Sequence, residues 1–232
     1  SGALTQQSDH LVIGPSDIAV TDKGLTITIQ ERATPWGQRV SGVISVGFER
    51  TVQECFQLDN AQCHWWWPIA PLSSIQVDME RPSLSWQGSA YVDSNFGVAP
   101  IESGFTSWNW CRGHTPEGHC EIHYDAQLCG GDENRVSLLI DKMGAVERTL
   151  SPPLQHLKKG PIWRVPRPAR LPTSTQASLI TLEDTPFYTR SQLRVSDRQF
   201  MHESLDLTRF CRSWVQCLLP FRMPRRSPTK SC

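Results

Sequence analysis

Three short segments hold the side chains that could act on a substrate: His64-Trp65-Trp66-Trp67-Pro68, Tyr91-Val92-Asp93-Ser94-Asn95 and Trp108-Asn109-Trp110-Cys111-Arg112. In extended chain, side chains two positions apart share a face. His64 then lies beside Trp66, Tyr91 beside Asp93, and Trp108 beside Trp110 and Arg112. If these faces line one cavity, a carboxyl, an imidazole, a phenol and a guanidinium stand among aromatic walls. That set suits a long apolar ligand with a single point of acid chemistry. Spacing alone leaves a second reading open, in which Trp66, Trp108 and Trp110 are ordinary core and Asp93-Ser94-Asn95 is turn chemistry.

Taken with their neighbours, these segments resemble a known family. His64-Trp65-Trp66-Trp67-Pro68-Ile69-Ala70-Pro71 is followed by Trp86, Gly88, Tyr91, Asp93, Asn95, Gly97, Pro100, Ile101 and Glu102, then by Phe105, Trp108, Trp110 and Arg112. Later blocks are Thr181-Leu182-Glu183-Asp184-Thr185-Pro186-Phe187-Tyr188 with Arg190, His202-Glu203-Ser204-Leu205, and a run from Trp214 to Arg226. This order of motifs is similar to that of the acyclic carotenoid 1,2-hydratases, also called hydroxyneurosporene synthases. The resemblance implies a cofactor-free enzyme whose partners are water and an acyclic carotenoid of the lycopene or neurosporene type. Water would add across the terminal 1,2 double bond to give a tertiary alcohol. It also implies tandem lipocalin-like antiparallel β-barrels. Carried onto this chain, the acid is Asp93, with His64, Trp66 and Tyr91 around it. Trp67, Trp108, Trp110 and Arg112 complete the expected substrate-binding set.

The chemistry accounts for these residue types. An acid that protonates an alkene must keep its proton near neutral pH, and burial among aromatics favours the neutral carboxyl. Protonation at C2 leaves a tertiary cation at C1, which the faces of Trp66, Trp108 or Tyr91 would stabilise by about 0.5–2 kcal/mol each. A water then attacks C1, and His64 or Tyr91 orients it or takes its proton, with His64 preferred. An Arg112 paired with Asp93 would instead favour the carboxylate and oppose the acid role. The alternative from another class is a lipocalin-like carrier that binds a polyene or isoprenoid without turning it over.

The elements that must position these residues read as β throughout. Leu25–Ile29 and Ile75–Met79 alternate apolar and polar residues, and Val40–Val46 nearly does. Ile122–Ala126 and Val136–Ile140 flank Gly130-Gly131-Asp132-Glu133-Asn134 as a hairpin with a long loop. Proline-rich chain over 150–161 reads as a linker, since prolines deny a sheet its donors. Strand-like runs resume at Ile162–Val165 and Ser178–Leu182, and only Met201–Leu219 has helical character. The expected division is a first barrel over 1–155 and a second over 156–232. Family members carry further sequence upstream of the position of Leu4-Thr5-Gln6, so the first barrel is expected to be incomplete.

Composition narrows the classes of partner. The 232 residues carry 23 basic and 23 acidic side chains, which leaves no basic surplus for nucleic acid. No stretch is apolar enough for a membrane-spanning helix, and the first residues show no signal-peptide pattern. Eight cysteines are too sparse for a disulfide scaffold and read mainly as free thiols. Cys111, His114, His119, Cys120 and His123 have a spacing that zinc could use, but alkene protonation needs no metal. The last 24 residues hold six basic side chains and no acidic one, with Trp214, Leu218, Leu219 and Phe221 among them. Such a tail suits peripheral contact with the cytoplasmic side of a carotenoid-containing bacterial membrane.

Overall fold

Strand-forming runs of alternating residues become antiparallel ladders in the structure, a computed structural model that describes residues 4–33, 36–171 and 177–219. The first sheet is built from β1 (Leu4–Gln6), β2 (His10–Ile13), β3 (Ser16–Thr21), β4 (Gly24–Ala33), β5 (Gln38–Phe48), β6 (Phe56–Gln57), β7 (His64–Arg81) and β8 (Leu84–Gly97). Its order is β1-β2-β3-β4-β5-β7-β6, with β8 also on β7. After a short helix α1 (Ile101–Gly104) come β9 (Phe105–His114), β10 (Cys120–Leu128), β11 (Glu133–Ile140), β12 (Val146–Arg148), β13 (Leu154–Leu157) and β14 (Arg167–Arg170). The chain continues through β15 (Ser178–Asp184), β16 (Tyr188–Val195), β17 (Arg198–Asp206), α2 (Leu207–Phe210) and α3 (Ser213–Leu218). A second sheet has the order β12-β11-β10-β9-β17-β16-β15, and β13 pairs with β14 separately. The chain is therefore all-β. Among the described residues the second sheet is an open path, the first is an open path with β8 branching from β7, and no closed barrel forms. The second sheet takes strands from both sides of residue 155.

The residues group into two units, one over Ser1–Gln53 and Pro68–Asp93, the other over Glu54–Trp67 and Ser94–Cys232. Strands β7 and β8 each run from one grouping into the other. In the first unit, Leu25–Ile29 pairs with Val46–Gly42 as the alternation requires. Gly24 makes that approach possible, because a Cβ there would lie 2.0 Å from the Val46 carbonyl oxygen. Leu11, Ile13, Ile18, Ile27 and Ile29 line a shallow apolar hollow of about 240 Å³ on this sheet.

The second unit holds the deeper core. Strand β10 is buried on both faces, from Ile122 through Ala126, between β9 and β11. Its Asp125 meets the Arg170 guanidinium at 2.8 Å, which ties β14 to this sheet. A second apolar cluster joins Ala169 and Leu171 of the β14 side to Leu193, Val195 and Phe200.

Two local expectations change. Ile162–Val165 is turn rather than strand, because the Asp184 carboxylate accepts the N–H groups of Ile162 (2.6 Å) and Trp163 (3.3 Å) that a ladder would use. Arg164 there has a φ of 57°, which breaks an extended path. The expected helical stretch is strand up to Asp206, where Met201–Asp206 pairs with β9 and Met201–Leu205 also with β16. Helix begins only at Leu207, and Asp206 caps it through a bond from the Arg209 N–H. Within the proline-rich linker, Leu154–Leu157 still forms a strand against Arg167–Arg170.

Candidate functional site

His64 opens β7 and is 6% exposed, and Asp59, 5% exposed, sits in the turn just before it. The turn is closed by bonds from Leu58 N to His64 O (2.9 Å) and from Gln62 N to Asp59 O (3.3 Å). One Asp59 oxygen accepts the backbone N–H groups of Cys63 (2.8 Å) and His64 (3.3 Å), and the other meets His64 Nδ1 at 2.7 Å. Burial pushes the Asp59 carboxyl up, but the bond to His64, the two N–H bonds and the imidazole charge outweigh it and hold the group below its usual range. On the far side of the ring, His64 Nε2 lies 3.1 Å from the Ala99 carbonyl oxygen. A carboxylate and a carbonyl both accept, so the two bonds coexist only when each ring nitrogen carries a hydrogen. Gly104 lies flush against the imidazole, where a Cβ would come within 2.7 Å of Cε1. Phe105 meets the ring edge-on at 4.9 Å. A cavity of about 130 Å³ next to it is lined by Leu58, Trp65, Phe96 and Ile101.

The aromatic residues separate by face. Trp66 shares the face of His64 and is fully buried, packed on Phe56 (5.5 Å) and Tyr124 (5.3 Å). Trp108 joins the same group through Tyr124 (6.1 Å) and Phe105 (6.3 Å). Trp110 is buried on β9. Trp67 is half-buried and, by the alternation of β7, points to the opposite face. Arg112 donates from Nη1 to His114 Nε2 at 3.1 Å.

Tyr91 and Asp93 lie in the regular part of β8, so Asp93-Ser94-Asn95 is strand and not a turn. The Tyr91 hydroxyl donates to Asp93 Oδ2 at 3.2 Å, as the shared face requires. Asp93 is half-buried, less enclosed than the sequence led us to expect. Further along β8, Asn95 Oδ1 accepts from the Tyr124 hydroxyl at 3.1 Å.

Other residues marked in the sequence take structural positions. Cys111 and Cys120 are buried thiols whose ionisation burial opposes, Cys120 being pushed up to about 12. His123 is engaged by Ser137 (3.0 Å) and Glu121 (2.9 Å), and among the described residues no three His, Cys, Asp or Glu side chains converge as metal donors. His202 bonds the Pro168 carbonyl (2.9 Å), whereas its neighbour Glu203 pairs across to Arg190 (2.7 Å). Seven described cysteines are free thiols. No described helix is long and apolar enough to cross a membrane. Arg209 and Arg212 of the basic tail are described, and the part beyond Leu219 lies outside the described residues. Sequence reading missed Asp59 and Tyr124. A signal for Asp59 existed, since an aspartate in the turn before a strand is placed to accept backbone N–H groups. Nothing local marks Tyr124, which reaches Trp66 only through sheet packing.

Fold and side chains together define a β-sheet protein that carries a tyrosine-bound carboxyl on β8 and, in the other unit, a carboxylate-bound histidine beside Phe105. The family model described as carotenoid hydratase CrtC matches residues 1–231, and the chain belongs to that family. It is 41% identical over 228 residues to the acyclic carotenoid 1,2-hydratase of Thiocapsa roseopersicina, covering 96% of this chain and 56% of that protein. Identity to the enzyme of the same name from Rubrivivax gelatinosus is 33%, covering 97% of this chain and 56% of the relative. With that from Rhodobacter capsulatus it is 31%, covering 98% and 83%. The chain thus spans little more than half the length of the first two relatives.

Proposed function

We propose that this chain carries the hydration chemistry of an acyclic carotenoid 1,2-hydratase. The observation that supports it best is the Tyr91–Asp93 pair at 3.2 Å on β8, in a chain of this family. In the proposed reaction Asp93 gives its proton to C2 of the terminal double bond, leaving a tertiary cation at C1. Water attacks C1, and the proton it sheds returns to the Asp93 carboxylate, so the acid is restored and no other reactant is consumed. Tyr91 donates to one carboxyl oxygen and so orients the acid. Trp67, Trp108, Trp110 and Arg112 are the proposed substrate-binding residues, whereas Trp66, fully enclosed by the core, supports the sheet and does not face the cation. His64 is a poor acceptor for the water proton, because both of its ring nitrogens already face protein oxygens.

The two open sheets are read as parts of tandem lipocalin-like barrels, which would give a polyene an apolar interior. The basic chain end is read as a peripheral contact with the cytoplasmic face of a carotenoid-bearing membrane. The test is Asp93→Asn assayed on lycopene, with 1-hydroxy carotenoid measured by chromatography. Loss of alcohol at unchanged expression is expected, and retained turnover would remove Asp93 as the acid. A wild-type protein that shifts the lycopene spectrum without forming alcohol would make the chain a carrier.

A further inference from the structure

We propose that Asp59 and His64 form a positioning clamp on the end of β8, the strand that bears Asp93, and exchange no proton with the substrate. This deepens the reading of Asp93 as the acid and rests on it. Three contacts join the start of β7 to the end of β8. The Val98 N–H donates to the Cys63 carbonyl at 3.0 Å. The Ala99 carbonyl accepts from His64 Nε2 at 3.1 Å. Gly97 passes so close that a Cβ would stand 2.1 Å from the Cys63 oxygen. Asp59 anchors the other side of the clamp, holding the Cys63 and His64 N–H groups with one oxygen and the imidazole with the other.

The imidazole is thus a bridge with a donor at each end. One end grips a carboxylate in the turn and the other grips the backbone just past β8. Gly104, with no Cβ, lets the ring sit flush against the backbone, and Phe105 packs on it edge-on. The consequence for the chemistry follows from strand geometry. Asp93 lies four residues before Gly97, and a slip of one residue in β8 would turn its side chain to the opposite face. A clamp at this end therefore sets which face carries the carboxyl. A base at His64 would need a bare ring nitrogen, and the two acceptors leave none.

The experiment uses the whole chain labelled with 15N-histidine, as wild type and as Asp59→Asn, which keeps an oxygen for the turn but removes the charge opposite Nδ1. In the wild type, both ring N–H groups of His64 are expected in long-range proton–nitrogen spectra, as its two acceptors require. Asp59→Asn is expected to lose one of them and to exchange the Val98 amide faster. On lycopene its kcat should fall about 10–100-fold with KM changed less than about threefold, the mark of a misplaced reacting group. A wild-type His64 with one bare nitrogen would overturn the clamp, as would Asp59→Asn that loses a ring N–H yet keeps full kcat. Failure of the wild type to make alcohol would instead count against the hydration reading, while the ring spectrum still decides the clamp.

Discussion

At the scale of single residues, the period of two in a strand carried most of the weight. It put Tyr91 beside Asp93 and His64 beside Trp66, and both pairings hold. A further consequence concerns the Tyr91 hydroxyl. Tyr91→Phe keeps the ring but removes the hydroxyl's bond to Asp93 Oδ2, so kcat for lycopene should drop about tenfold or more while substrate affinity barely changes; an unaltered kcat would show that the hydroxyl has no part in presenting the acid. What the spacing could not show is whether an aromatic is core or wall. Trp66 ends fully buried against Phe56 and Tyr124, residues 10 and 58 positions away in the chain. Nor could it show that His64 answers to Asp59, since the turn that brings them together is closed by backbone bonds and a left-handed Gln62 at φ 57°.

At the scale of elements, alternation found β4, β5 and β7, turn signals and strand-like runs found β10, β11 and β15, and these signals failed where a distant side chain competed for the backbone. Asp184 converts Ile162–Val165 into a turn, and pairing with β9 and β16 converts Met201–Asp206 into a strand. The link between β17 and β14 through His202 and the Pro168 carbonyl carries a pH signature. Burial pushes this imidazole down to about 4, with the Pro168 carbonyl opposing the shift in part. The unfolded ring takes up its proton near pH 6.5. As pH falls from about 6.5 towards 4 the unfolded state binds the proton first, so stability is full above that window and is lost across it. Urea unfolding at pH 7 and pH 4.5 should show a loss of about 2 kcal/mol attributable to this residue. His202→Gln should reduce the difference between the two pH values by that amount, whatever it does to stability at pH 7.

At the scale of the whole molecule, charge is balanced overall but uneven in place, with six basic and no acidic residues in the last 24. If that end meets a membrane, the protein should bind vesicles containing phosphatidylglycerol, release them as salt rises from 0.05 to 0.5 M, and ignore neutral phosphatidylcholine vesicles (ionic strengths of roughly these values span the screening range). Deleting residues 220–232 should abolish the binding, and salt-independent binding that survives the deletion would remove electrostatics at this end as its cause. Family and all-β class were both within reach of the linear chain, because motif order and strand alternation are local properties that neighbouring residues dictate. Which buried groups pair, which runs abandon their strand, and how the sheets divide were settled only by packing. Asp125 with Arg170, Asp184 with the 160–165 turn, and His202 with Pro168 join residues 45, 22 and 34 positions apart, respectively. Each polar group so enclosed must find its partner in space, since water is no longer there to supply one.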